Sequence, residues 1–150
     1  MSDKIVSEQR LVNRMIADWE RMRGDNPIPD AEKYKNSAVP DLRDSYFIVS
    51  ITSMDKRNIY KYEYVGSEIK KAYGRELKGE VASSAVRNVP GSQILQKIDK
   101  CIETLMPLTE EGQFVNNNNK IVRYRSCVLP LGRSDSVVTH AVVGLSWKAF

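Results

Sequence analysis

The stretch YKYEYVGSEIKKAYGRELKG, residues 60–79, decides the predicted fold of this chain. Tyr60, Tyr62 and Tyr64 alternate with charged residues, which is typical of a strand with one buried face. Gly66 ends that strand. The hydroxyl of Ser67 can accept a hydrogen bond from a free N–H and is therefore suited to cap a following helix.

The second half of the stretch predicts one short helix between two glycine turns. Ile69, Ala72 and Tyr73 fall on one helical face. Gly74 follows at the position where a left-handed residue ends a helix, and Gly79 closes a second tight turn. An aromatic strand thus leads into a short helix that folds back over it, and we expect a small covered hollow between them.

Composition predicts one globular domain. The 150 residues are 41% hydrophobic and 28% charged, which is ordinary for a chain with a real core. The net charge of +4 is spread along the sequence, so we expect no nucleic-acid partner. No apolar run reaches the ~20 residues of a membrane helix, and the N-terminus lacks the apolar segment of a signal peptide. We therefore expect a cytoplasmic protein with no membrane partner.

The two cysteines, Cys101 and Cys127, are far apart and belong to no CxxC pair. With a single histidine, His140, they cannot complete a common zinc set. We expect buried, unreactive thiols and no metal site.

The N-terminal part, residues 1–29, is predicted to form a helix from Asp3 to Arg23 and a rigid turn. Val12, Met15 and Trp19 recur at helical spacing and favour packing against the domain, although a dimer contact is the alternative. Residues 30–150 should form the main domain, in one compact unit with the helix. Its first part, 30–44, is polar and is expected to be a loop with at most one helical turn.

The rest of the chain is predicted to contain five strands around a helical middle. Strands are expected at 46–52, 60–65, 108–115, 121–131 and 137–147. The segment from Val81 to Val89 suggests weak helical turns, and a clear helix, capped by Ser92, runs to Pro107. In the last strand Val138, His140 and Val142 form a second face that is too apolar for water. The N-terminal helix with Trp19 has the chemistry to cover it.

This order of elements predicts an α+β fold: a five-stranded antiparallel sheet with helices on one face and the N-terminal helix covering the other. The first two and the last three strands must then meet in one sheet.

Several residues resemble the PAS domain family, and more narrowly a compact, free-standing bacterial PAS subfamily. The Gly66 to Gly79 block is the specific part of the resemblance, which spans nearly the whole chain, whereas Asp44 and Ser50 depart from the family pattern. The matching positions are Trp19, Arg23-Gly24, Val39-Pro40, Tyr62, Tyr64-Val65-Gly66-Ser67, Ile69, Gly74-Arg75-Glu76-Leu77-Lys78-Gly79 and Leu129-Pro130-Leu131.

The resemblance implies a domain that senses small ligands or cofactors between sheet and helices, or that mediates dimerisation, and that is not an enzyme. Light-sensing relatives carry a flavin-reactive cysteine in an Asn-Cys-Arg-Phe motif, which this chain lacks, and Cys101 lies in the wrong segment. Haem-binding relatives use a histidine on the long helix, whereas His140 lies on a strand. The cofactor, if any, stays unknown at this stage.

Three functional hypotheses follow. The first is ligand sensing in a PAS-type sensory domain, with apolar pocket walls and tyrosine hydroxyls as polar handles. The alternative for each wall residue is that it fills the core. The candidate walls are Phe47, Tyr62, Tyr64, Ile69, Tyr73, Ile98 and Ile102.

The second hypothesis is an interaction module that forms a homodimer or docks a signalling partner, compatible with the first. Its candidate interface residues are Val12, Met15, Trp19, Val138, His140 and Val142. The third is an enzyme such as a cone-shaped α+β isomerase. We regard catalysis as disfavoured, because no nucleophile–base pair is apparent and carboxylates such as Glu63, Glu68 and Glu110 are expected to point outward or lie in turns.

Overall fold

The structure is a computed structural model that describes residues 2–83, 85–86, 89–133 and 136–150, with side chains from residue 11 onward. The helices are α1 (Ser2–Arg23), α2 (Ala31–Ser37), a 3₁₀ helix (Pro40–Ser45), α3 (Ser67–Tyr73) and α4 (Ser92–Thr104). The strands are β1 (Tyr46–Met54), β2 (Arg57–Val65), β3 (Val81–Ala82), β4 (Leu108–Val115), β5 (Ile121–Gly132) and β6 (Val138–Ala149).

The strands form one antiparallel sheet in the order β3-β2-β1-β6-β5-β4. β1 pairs with β6 from Tyr46 opposite Gly144 to Ser50 opposite His140. The N-terminal hairpin and the three late strands therefore share one sheet, and the predicted α+β class is confirmed, with six strands instead of five.

The additional strand is β3, which pairs with Tyr60 and Lys61 of β2. It lies where weak helical turns were predicted, and for residues 81–82 that prediction was wrong. Gly79, at φ 85°, reverses the chain, and its N–H donates to a carbonyl of β2 at 2.7 Å, so the next residues run back along the strand. The rest of the prediction falls partly outside the described residues, at positions 84, 87 and 88.

Helices cover both faces of the sheet. One face packs on α3 and α4, and we call this the α4-side core: Phe47, Val49, Tyr60, Tyr62, Ile69, Ala72, Tyr73, Leu77, Ile94, Leu95, Ile98, Cys101, Val122, Tyr124, Val128, Ala141, Val143 and Leu145. The other face packs on α1, α2 and the 3₁₀ helix, and we call this the α1-side core: Val12, Met15, Trp19, Ile28, Ala31, Tyr34, Ala38, Val39, Tyr46, Ile48, Cys127, Leu129, Leu131 and Val142.

Helix α1 covers the second face of the sheet, as the sequence predicts. Trp19 is 1% exposed, and its indole Nε1 donates to the Pro130 carbonyl at 2.8 Å. Met15 is fully buried over Gly144, where an added Cβ would lie 2.2 Å from the methionine sulfur. Burial of each such side chain contributes about 1.5–3 kcal/mol, which explains why this helix stays on the sheet.

The prediction of a loop at 30–44 was largely wrong, because α2 and the 3₁₀ helix occupy most of it. Asp30 caps α2 by accepting a hydrogen bond from the Lys33 N–H at 3.0 Å. Tyr34 is completely buried in the α1-side core. Seven residues are too few to form a stable helix alone. The burial of Tyr34 therefore stabilises α2, and the polar sequence does not indicate this contact.

The glycine turns around α3 are present, but the predicted serine caps are not. Gly66 and Gly91, not Ser67 and Ser92, are the N-cap residues of α3 and α4. Gly74 has φ 74° at the end of α3, as predicted. The motif residue Arg75 follows it and pairs with the carboxylate of Glu80.

Gly66 is required by close approach and not by a left-handed backbone. Its φ is −68°, which any residue can adopt. A Cβ at this position would lie 2.4 Å from the carbonyl oxygen of Asp44, because the 3₁₀ helix crosses directly over the turn. The Gly66 N–H also donates to the Tyr46 carbonyl at 2.9 Å, which fixes the approach.

We therefore expect Gly66→Ala to lower the free energy of unfolding by about 2 kcal/mol or more, since a backbone carbonyl cannot yield as a side chain can. Urea denaturation would measure the loss. The adjacent Ser67→Ala is the matched control, because its side chain caps nothing, and its change should stay within about 0.5 kcal/mol. Equal stability of Gly66→Ala and the wild type would contradict the steric explanation.

Candidate functional site

Most of the predicted pocket residues meet on the α4 side of the sheet. Phe47 and Tyr62 come from β1 and β2, Ile69 and Tyr73 from α3, and Ile98 from α4, and all belong to the α4-side core. Ile102 is partly buried at the margin of the same cluster. The residues chosen from the sequence therefore lie on faces of β1, β2, α3 and α4 that pack together in the structure.

Tyr64 is the exception, and its placement as a pocket wall was wrong. The β1–β2 register shifts, so that Val49 lies opposite Tyr62 while the preceding Ile48 lies opposite Tyr64, and Glu63 is the extra residue. This β-bulge turns Tyr64 to the α1 side, where its hydroxyl donates to the Arg43 carbonyl at 2.8 Å. Strict alternation along a strand does not predict a bulge.

The α4-side core is filled by its own side chains. Phe47, Ile69 and Ile98 are 0% exposed, and the Phe47 and Tyr62 rings lie 5.2 Å apart. The Tyr73 ring packs 4.9 Å from Phe114, and burial raises the Tyr73 pKa well above its ordinary value. These candidate wall residues thus make core contacts in this structure.

An opening exists at one end of this core, where the first turn of α4 meets β4 and β5. It is a cavity of about 70 Å³. Its lining contains aliphatic, aromatic and amide groups, from Val89, Gly91, Ser92, Gln93, Gln113, Phe114 and Tyr124. The hydroxyl of Tyr73 reaches the same end, because a Cβ on Gly91 would lie 2.1 Å from it.

Polar groups converge beside this opening. The Tyr124 hydroxyl donates to Glu110 Oε1 at 2.8 Å and lies 3.4 Å from Gln93 Oε1. Lys97 Nζ lies 3.7 Å from the second oxygen of Glu110. Burial, then the hydrogen bond and charge of Glu110, raise the Tyr124 pKa, so this phenol stays protonated and donates. Gly112 leaves room for it, since a Cβ there would lie 2.5 Å from the hydroxyl.

This polar group was not predicted from the sequence. Glu110 was expected to point outward, yet its side chain is only 15% exposed and faces α4. The signal was available in β4 and β5: Tyr124 alternates with charged residues, and Gly112 interrupts a strand where a bulky neighbour approaches. Gln93 carried no comparable signal, because an amide in the first turn of a helix is unremarkable.

Helix α4 is also tied to the sheet at its middle. The Tyr60 hydroxyl donates to Asp99, and Asn58 Nδ2 donates to the same carboxylate at 3.4 Å. Burial raises the Asp99 pKa above its ordinary value, partly opposed by the Asn58 hydrogen bond. Tyrosines from two strands therefore hold α4 by hydroxyl–carboxylate or hydroxyl–amide contacts.

The asparagine hairpin between β4 and β5 holds α3 in place. Asn116 is buried, and its Nδ2 donates to the Ala72 carbonyl at 3.0 Å. Its Oδ1 accepts from the N–H groups of Asn118 and Lys120, at 2.9 and 3.0 Å. The loop thus satisfies a carbonyl at the C-terminal end of α3 and positions the helix that carries Tyr73.

Neither cysteine fits flavin–cysteine chemistry. Cys101 Sγ lies 3.1 Å from the Met106 carbonyl, and burial raises its pKa to about 12. Cys127 is on the α1 side, 3.9 Å from the Met15 sulfur, and burial raises its pKa to about 12 as well. The α4-side core is also filled by its own side chains. The positions of the two cysteines in this structure therefore do not fit a bound flavin. Across the described residues no group of three metal-ligating side chains occurs.

Four of the six predicted interface residues lie inside the molecule. Val12, Met15, Trp19 and Val142 are between 0% and 5% exposed, because α1 covers the face to which they belong. In this structure they are therefore packing residues, and the dimer interpretation of the helical stripe is not supported for them. Val138 is only partly buried against the same core.

His140 joins α2 to the sheet. Its Nε2 lies 3.1 Å from Lys35 Nζ and 3.3 Å from Glu63 Oε2, and its Nδ1 lies 2.8 Å from Thr139 Oγ1. Burial, then the Lys35 charge, lower its pKa below the ordinary 6.5, although Glu63 opposes the shift. The folded protein therefore holds this histidine neutral more strongly than the unfolded chain does.

Because protonation is harder in the folded state, stability should be full above pH 6.5 and should fall as the pH drops below this value towards the lower folded pKa. We therefore expect the Tm to decrease as the pH falls below about 6.5. His140→Gln, which removes the only histidine, should flatten this decrease, as differential scanning calorimetry would measure. An unchanged pH slope in the variant would contradict this assignment.

Comparison with solved structures identifies the fold. No protein-family model and no curated protein matches the chain. Among solved structures, the dark structure of the Aureochrome1 LOV blue-light photoreceptor matches with TM-score 0.55 and 15% identity, over 79% of this chain and 83% of that one. The LOV protein of Rhodobacter sphaeroides matches with TM-score 0.54 and 10% identity, over 79% and 68%.

LOV domains are a subfamily of the PAS domains, so the chain has the PAS-type fold that its sequence resembles. At these identities the likeness concerns the fold alone. The described helices include none that is both long and apolar enough to span a membrane.

Proposed function

We propose that this chain is a PAS-type sensory domain of the cytoplasm that binds a small organic molecule at the opening between α4, β4 and β5. The observation that carries the proposal is that Tyr124 and Gln93 line a cavity of about 70 Å³ beside buried aromatic rings, where Glu110 holds the Tyr124 hydroxyl in place from behind. Convergent polar groups at the edge of an apolar core are the usual composition of a ligand site.

The chemistry of the opening selects the class of ligand. The Tyr124 hydroxyl oxygen, whose proton goes to Glu110, and the Gln93 side-chain carbonyl can each accept a hydrogen bond, so they favour a ligand with an N–H or O–H donor. Phe114 and Tyr124, whose centroids lie 5.8 Å apart, present aromatic surface to a flat apolar part. The cavity holds only a few atoms, and a larger ligand would enter by displacing the Phe114 or Tyr124 ring.

Such displacement supplies a route for a signal. A ligand shifts a conformational equilibrium only if it binds one state better than the other. A displacement of Tyr124 that also shifted the β5 backbone would reach β6, which pairs with β5 along its length, and both strands carry α1 on their opposite face. A homodimer or a signalling partner that contacts this region would receive the change, and the role is sensory and not catalytic.

The second candidate is a ligand-free interaction module. The filled α4-side core favours it, since Phe47, Ile69 and Ile98 expose no surface to an interior void. The two candidates differ in whether any small molecule stabilises the purified domain.

Native mass spectrometry of the purified protein, followed by a thermal-shift screen of small amines, amides and phenols, separates the two. We expect a retained or stabilising molecule whose affinity falls about tenfold in Tyr124→Phe, because one hydrogen bond is lost. Tyr60→Phe is the matched control. It removes a buried hydroxyl of β2 that donates to Asp99 in the middle of α4, away from the opening, and it should leave the affinity unchanged.

The absence of any retained molecule, combined with no stabilising compound in the screen, would favour the ligand-free module. Equal losses of affinity in Tyr124→Phe and Tyr60→Phe would show that the opening is not the binding site.

A further inference from the structure

On the α1-side face of the sheet, one region is exposed to solvent among the residues whose side chains the structure describes. Strand register places successive layers of side chains on this face. Thr109, Cys127 and Gly144 form the layer beneath Met15 of α1. Three further layers continue towards the Asn116 hairpin: Glu111–Arg125–Ser146, Gln113–Arg123–Lys148 and Val115–Ile121–Phe150.

These nine residues form what we call the lower groove. Its concave part has a volume of about 480 Å³. Its last layer is apolar and open to solvent, because Val115, Ile121 and Phe150 are 57%, 42% and 56% exposed. This apolar layer lies next to a charged one, and both are exposed, whereas helices cover the rest of the α1-side face. Such a patch indicates a surface that binds another molecule.

The charges of the lower groove are unbalanced. Arg125 pairs with Glu111 across the strands. Arg123 and Lys148 instead lie over the Phe150 ring, 5.1 and 5.3 Å from its centroid. Neither has a carboxylate within ion-pair distance among the residues whose side chains the structure describes. Two cations are thus held side by side on an aromatic ring without a counter-charge, which attracts an anionic group.

We propose that the lower groove docks an acidic segment of a partner protein, with two neighbouring carboxylates on Arg123 and Lys148 and an apolar side chain on the Val115–Ile121–Phe150 layer. Arg123 and Lys148 are directly opposite on adjacent strands, where Cβ atoms are about 5 Å apart, a spacing that adjacent acidic side chains match. This inference is independent of the proposed ligand site.

Two other classes of occupant fit less well. A nucleic acid needs a longer track of cations to engage successive phosphates, whereas here Glu111 and Gln113 line one wall of a short groove. A lipid bilayer presents a flat surface, which does not enter a concave groove. A peptide segment with both carboxylates and an apolar residue satisfies the two layers nearest the Asn116 hairpin, since Arg125 of the first layer is already paired with Glu111.

The test is fluorescence anisotropy with a labelled peptide of about twelve residues that repeats Glu-Glu-Leu, compared with its Gln-Gln-Leu counterpart. We expect the acidic peptide alone to bind, and the double variant Arg123→Gln/Lys148→Gln to weaken binding about tenfold or more. The matched control is Lys61→Gln/Lys100→Gln, which removes the same charge from exposed sites elsewhere and should change affinity less than about twofold.

The proposal is overturned if the wild-type protein does not bind the acidic peptide, or if both double variants weaken it equally. It is also overturned if a labelled single-stranded RNA or anionic phospholipid vesicles bind more tightly than the peptide and lose binding in Arg123→Gln/Lys148→Gln. A dimer seen by analytical ultracentrifugation that this variant dissociates would assign the groove to a second copy of the chain. Calorimetric melting of each variant confirms that the comparison is between folded proteins.

Discussion

The pairing of β1 with β6 is the constraint on which the rest of the structure depends. It joins two hairpin-like units that are distant in sequence and places both strands in the middle of the sheet. Their side chains are apolar on both faces, with Phe47 and Val143 on one and Ile48 and Val142 on the other. A sheet whose central strands are apolar on both sides cannot leave either side in water. Helices α3 and α4 on one face, and α1 and α2 on the other, are the consequence.

The bulge at Glu63 divides the aromatic strand between these two cores. Tyr60 and Tyr62 serve the α4 side, whereas Tyr64 serves the α1 side beside Tyr46, with ring centroids 5.6 Å apart. The same shift turns Glu63 towards Lys35 of α2, at 3.0 Å, and towards His140. One extra residue in β2 therefore contributes to the polar contact between α2 and the sheet, in which Lys35, Glu63 and His140 meet.

Sequence periodicity predicted the elements that repeat a pattern over several residues, such as the stripe of α1, the apolar face of α4 and the two-sided β6. It failed where a single non-local contact decides the structure. Three features depend on residues distant in the chain. They are the close approach of the Asp44 carbonyl to Gly66, the burial of Tyr34 that anchors the short polar helix α2, and the bulge at Glu63. The polar site at Tyr124 was missed for a related reason: a glutamate on an edge strand is ordinarily solvated, and only the approach of α4 covers it. The narrower PAS subfamily suggested by the Gly66–Gly79 block remains a prediction.

Strand β5 links the two proposed sites. Tyr124 points to the opening beside α4, and its neighbours Arg123 and Arg125 point to the lower groove on the opposite face. Both edges of β5 are hydrogen-bonded, to β4 and to β6, so a shift of its backbone at Tyr124 would also move Arg123 and Arg125. A ligand at the opening would reach the cations on either side of Tyr124 only by shifting this backbone, since rotation of the ring alone leaves its neighbours in place. Under the two proposals above, the small molecule and the protein partner would bind on opposite faces of one strand, so coupling between them would need no longer pathway through the core.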